Sequence, residues 1–108
     1  MTKKVKLFMG PSTMSIAVQA LKLSYQISQP ETLEELRNWP MVELARNMAL
    51  IWERKWIEGC AAGETKYKAT LGLSKAATLY YCLELYYEHE PHQLCQLAMR
   101  QLQTDVFR

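Results

Sequence analysis

Between Tyr80 and His92 the chain reads YYCLELYYEHEPH, with four tyrosines, three glutamates, two histidines and a cysteine in thirteen positions. Imidazole and thiolate are good zinc ligands. His89, His92 and the nearby Cys95 are therefore the candidate metal set, with Glu88 as a further donor. Ligands on one continuous helix normally sit at i and i+4, as in HExxH. His89 and His92 are three apart with Pro91 between them, so a turn sets their relative direction. No CxxC and no second ligand pair lies elsewhere, and Cys60 has no ligand partner near it in sequence. These residues read better as a helix end at a packed junction than as a metal centre, and no cofactor is expected.

Other patterns also fall short of a chemistry. LFMGPSTMS has the outline of a strand, a glycine turn and a helix, but it lacks the second glycine and the lysine that wrap and neutralise phosphates in GxxxxGK[ST]. Ser12 and Thr13 are expected to cap a helix instead. LGLSKAATLYYCLELYY has the outline of the turn and second helix of a helix-turn-helix. Its second helix would carry one lysine, several tyrosines and two glutamates, whereas base edges are read by Arg, Lys, Asn and Gln. For catalysis there is no GxSxG or HExxH. Glu84 and Glu88 read as a solvated face. Cys82 and Cys95 lie in apolar helical patterns, where cysteine is an inert small hydrophobe. The chain is not expected to be an enzyme.

The elements that carry these residues are mostly helical. From Ser12 onwards Ser15, Gln19, Lys22 and Gln26 make one narrow polar stripe on an otherwise apolar helix, which must be covered from several directions. Pro30, Pro40 and Pro91 each precede a helical pattern, and proline at the first helical position forfeits no hydrogen bond. After Pro40, Val42, Ala45, Ala49, Trp52 and Trp56 form a stripe facing the first helix or its neighbours. Gly59 and the AAG after it should end that helix. Ser74 is the expected N-cap of KAATLYYCLELYYEH. The last helix lines up Leu94, Cys95, Ala98, Leu102 and Val106. Residues 63–73 read as a short helix or an extended connector, with Gly72 marking a break.

The first nine residues differ. Val5, Leu7 and Met9 alternate with Lys4, Lys6 and Phe8, the pattern of a strand or extended arm. A lone strand cannot satisfy its own backbone. Tyr67, Ala69 and Leu71 also alternate, but the flanking lysines and Gly72 weaken them as a partner strand. The arm is therefore expected to be an association element, pairing with the same arm of another copy or with a partner's exposed edge.

With 108 residues the chain is one domain, an arm over 1–11 and a helical bundle over 12–107. The expected fold is all-α: a compact bundle of four to five helices with a short N-terminal extended arm or strand. A 49% apolar content suits a globular core, and a formal charge of +2 is too small to imply a polyanionic partner. No apolar run approaches the roughly 20 residues of a membrane span, and Gly10-Pro11 cuts the first apolar stretch too early for a signal peptide. Three cysteines point to free thiols in a reducing cytoplasm.

The expected core is Val18, Leu21, Ala45, Met48, Trp52, Trp56, Leu83, Leu94, Ala98 and Leu102. The helix after Ser74 is apolar on nearly every side, more than one small domain should hide. The expected function is thus a protein-interaction module that pairs with itself through Tyr80, Tyr81, Leu85, Tyr86 and Tyr87, together with Val5 and Leu7 of the arm. A nucleic-acid-binding regulator using the basic arm is a less favoured alternative, as is a small metal- or ligand-binding helical protein. No membrane partner is expected.

Overall fold

The computed structural model of the chain describes residues 3–107. KVKLFM forms strand β1 (Lys4–Met9), and its alternation sends Val5, Leu7 and Met9 inward while Lys4, Lys6 and Phe8 face out. Its partner lies within the same chain. Strand β2 (Tyr67–Gly72) pairs with β1 antiparallel, in a register that sets Val5 opposite Leu71, Leu7 opposite Ala69 and Met9 opposite Tyr67. Val5 and Leu7 are 1% and 0% exposed, so they are core residues and not interface residues. The arm is likewise part of the core rather than an association element. Of the lysines that disguised β2, Lys68 is simply an outward position, because side chains alternate across a strand, and Lys66 precedes the strand.

Helix α1 (Pro11–Lys22) follows, with Pro11 at its start and Gly10, not Ser12, in the cap position. Met14, Ile16, Ala17, Val18, Ala20 and Leu21 are all buried on it. The helix does not run on to Ile27 as its pattern suggests. It tightens into a 3₁₀ turn over Leu23–Gln26, where Ser24 Oγ donates to Leu21 O at 2.7 Å. Arg46 then anchors the departing chain: its guanidinium donates to the carbonyls of Ser24 and Ile27 and lies 5.6 Å from the Trp39 ring.

Two helices start elsewhere than their prolines suggest, one starts as expected, and a fourth starts ahead of its expected cap. Helix α2 (Leu33–Arg37) is capped by Thr32, whose Oγ1 accepts from Glu35 N–H, while the Glu35 carboxylate accepts from Glu31 N–H. This is close to the reciprocal capping box. Helix α3 (Trp39–Ala61) carries Pro40 in its first turn. Helix α4 (Leu73–His89) starts at Gly72 rather than Ser74, whose carbonyl instead accepts from Thr78 Oγ1 at 2.8 Å. Helix α5 (Gln93–Val106) is capped by His92, beyond Pro91.

The core lies where α1 packs against α3, α4 and α5, with the β1–β2 ribbon against α4 and α5. Leu21, Leu83 and Leu102 are fully buried there, as are Val18, Ala45, Met48, Trp52 and Ala98. Trp56 and Leu94 are half-buried and pack against this cluster.

Gly59 does not end α3. The helix closes at Gly63 (φ 75°), where Gly63 N–H bonds Cys60 O and Glu64 N–H bonds Gly59 O, a Schellman closure. Gly59 instead makes room for Tyr67, since a Cβ there would lie 2.5 Å from the phenol oxygen and 2.6 Å from the ring.

Two substitutions test this packing. Gly59→Ala would stabilise an unobstructed helix by about 1 kcal/mol, but overpacking against Tyr67 costs about 1–3 kcal/mol. Its midpoint in urea should fall; a rise would mean that the ring does not sit there. Leu7→Ala should cost about 2–5 kcal/mol as a buried truncation. An unchanged midpoint would return β1 to the surface.

Candidate functional site

The histidines and cysteine at the end of α4 do not converge. His92 Nδ1 accepts from Leu94 N–H at 3.1 Å and so caps α5. Cys95 is fully buried, and its thiol donates to Leu83 O at 3.2 Å. His89 is exposed on the last turn of α4. Among the described residues no three His, Cys, Asp or Glu side chains are placed to hold a metal.

Burial pushes the Cys82 thiol up to about 11 and raises Cys95 as well, so both stay protonated near neutral pH. Cys60 is different: it is exposed, with Sγ 3.8 Å from Tyr67 Oη. Desolvation by burial, followed by contact with Cys60, pushes the Tyr67 hydroxyl above the usual tyrosine value.

The tyrosines of α4 divide by position. Tyr86 is buried, a core residue rather than an interface residue, and its hydroxyl donates to Gln19 Oε1 (2.9 Å) or Glu90 Oε2 (3.0 Å). Tyr80, Tyr81, Leu85 and Tyr87 remain part-exposed. Tyr80 Oη accepts from Gln103 Nε2 at 2.7 Å, which ties α4 to α5. The Tyr81 hydroxyl is raised mainly by burial and then by the Glu34 charge.

Tyr80 and Tyr81 line a groove of about 480 Å³ between the start of α3, α4 and the end of α5. Its other apolar walls include Met41, Leu73, Ala77 and Phe107, with Glu84 and Gln103 as polar groups. Phe107 is 85% exposed at this groove. The apolar surplus of α1 is consumed by its neighbours, whereas that of α4 stays open here. Sequence reasoning named the two tyrosines but missed Met41, Leu73, Ala77 and Phe107. Residues from α3, α4 and the end of α5 meet in this groove, and helical periodicity within one segment carries no such signal.

A second surface is the outer face of the ribbon. Lys4, Lys6 and Phe8 project from β1, and Lys68 and Thr70 project from β2 beside them. Lys68 Nζ lies 5.8 Å from the centre of the Phe8 ring. A shallow trough of about 440 Å³ runs from Lys4, Lys6 and Phe8 towards Gln101 and Asp105 of α5. Lys3 Nζ donates to Val106 O at 2.7 Å and joins the ribbon to the end of α5.

Comparison with protein-family models, with curated proteins and with solved structures finds no match. Among the described residues no helix is long and apolar enough to cross a membrane.

Thiol chemistry checks the placement of the cysteines. At pH 8 a disulfide-exchange reagent should modify Cys60 rapidly, and Cys82 and Cys95 only on unfolding. Three equally fast thiols would contradict the packing of α4 and α5. An unfolded thiol ionises near 9.0, whereas folded Cys82 holds its proton to about 11. The stability this thiol contributes is full below pH 9 and drains away between those values.

Proposed function

We propose that the chain is a non-catalytic protein-binding module that pairs with a second copy of itself. The observation that carries this reading is the apolar groove beside α4, with Phe107 standing 85% exposed at it. A two-fold pairing requires one patch to complement itself. A groove next to a projecting aromatic ring meets that need, each copy inserting its ring into the other's groove. Tyrosine, phenylalanine and methionine are enriched at the centres of such interfaces, and charged residues are depleted. Glu84 is the one charged side chain in this lining.

The absence of catalysis in this reading is supported by how the reactive groups are used. His92 caps a helix, and Cys82 and Cys95 are buried and protonated. The three free thiols suit a reducing cytoplasm.

Sedimentation equilibrium across a hundredfold concentration range should show a monomer–dimer equilibrium at micromolar protein. Ala77→Arg places a charge on an exposed groove position and should shift the protein to monomer with unchanged helical circular dichroism. Phe107→Ala should weaken pairing at least tenfold. A single monomeric species throughout, or a dimer indifferent to both substitutions, would overturn the assignment.

A further inference from the structure

Lysines on an edge strand have an ordinary explanation, because charge discourages the strand from pairing with another chain. Phe8 does not share it. An aromatic ring 56% exposed on a two-stranded ribbon works against that protection. Phe8 also sits within a cluster of like charge that the pairing register creates. Lys6 faces Thr70, Phe8 faces Lys68, and Lys4 faces Gly72, so that every charged group projecting from this face is a cation. Among the described residues none of Lys4, Lys6 and Lys68 has a carboxylate within ion-pairing distance; the pair that does form is Lys22 with Glu53. Asp105 is the one acid lining the adjoining trough.

We propose that this outer face of the β1–β2 ribbon binds single-stranded nucleic acid. Its chemistry matches such a strand in both respects. Every base has a π-face that can stack on an aromatic ring, and a cationic surface tracks the backbone. Phe8 supplies the ring, with Lys68 beside it. Lys4 and Lys6 stand about 6.8 Å apart, two residues along one strand, close to the separation of neighbouring phosphates on an extended chain. Thr70 offers a hydroxyl next to Lys6 for a phosphate or sugar oxygen. A duplex keeps its bases stacked on each other and offers Phe8 no face. An acidic peptide would use the lysines but gain little from an isolated ring. The surface is separate from the apolar groove, so binding does not depend on self-pairing.

The test is fluorescence anisotropy of a labelled oligothymidylate of about ten nucleotides with the full chain over a range of salt. Three lysines on a single strand predict a slope of log K against log salt of about −2, and Lys6→Gln or Lys68→Gln should each reduce it by about 0.7. Phe8→Ala should weaken binding roughly tenfold, whereas Phe8→Trp restores it. Unchanged circular dichroism shows that the fold is intact, since these side chains are exposed. The monomeric Ala77→Arg variant should bind as the parent does. No binding at low salt would overturn the proposal. So would affinity indifferent to Phe8→Ala, tighter binding to a duplex of the same length, or binding confined to anionic lipid vesicles.

Discussion

Strand β1 must find hydrogen-bond partners for its backbone, and it finds them in β2, far along the chain. That pairing fixes the rest. Once the register sets Leu7 opposite Ala69, the two-residue period decides every other side chain on both strands. Val5, Leu7, Met9, Tyr67 and Leu71 seal one side of the helical core. By the same parity Lys4, Lys6, Phe8 and Lys68 have nowhere to go but outward. The apolar lid and the cationic surface are two faces of one constraint. Tyr67 of β2 in turn reaches over Gly59 of α3, where a Cβ would lie 2.5 Å from its phenol oxygen.

Which faces of α3 and α5 are buried was legible from period, although where α1 ends was not. The stripe from Val42 through Trp52 is buried as its spacing predicts, and so are Cys95, Ala98 and Leu102 on α5. What was not legible follows from contacts between distant segments. β2 carries two lysines in its neighbourhood and a terminal glycine, which read as loop until a partner strand supplies a reason for the alternation. Val5 and Leu7 were therefore placed at an interface, although Leu7 is completely buried. Prolines marked the helix starts only approximately. Thr32 and His92 provide caps by accepting backbone N–H bonds, which satisfies donors that a proline only avoids having. The groove needed Leu73 and Phe107 to be neighbours, a fact of tertiary packing.

The polar residues that drew attention at the end of α4 are used for building. His92 holds the turn into α5, Tyr86 reaches across to α1, and the Cys95 thiol closes on the Leu83 carbonyl. The Cys95–Leu83 bond is buried, where an unpaired carbonyl would be costly, whereas the His92 cap forms at the surface. The surfaces left over are simpler in chemistry: an apolar groove with an exposed ring beside it, and a cationic ribbon with another. Such surfaces would bind by burial and by charge, a second copy being proposed for the groove and single-stranded nucleic acid for the ribbon.

The claim that the fold separates these two surfaces can be tested in one measurement. Amide chemical shifts of isotope-labelled protein should be followed first on dilution and then on addition of an oligothymidylate at fixed low concentration. Dilution should move the amides of Leu73–Glu84 and Phe107 and leave the ribbon unchanged. The oligonucleotide should move Lys4–Phe8 and Lys68–Thr70 and leave the groove unchanged. A single set of residues responding to both, or ribbon amides that respond to neither, would contradict the account.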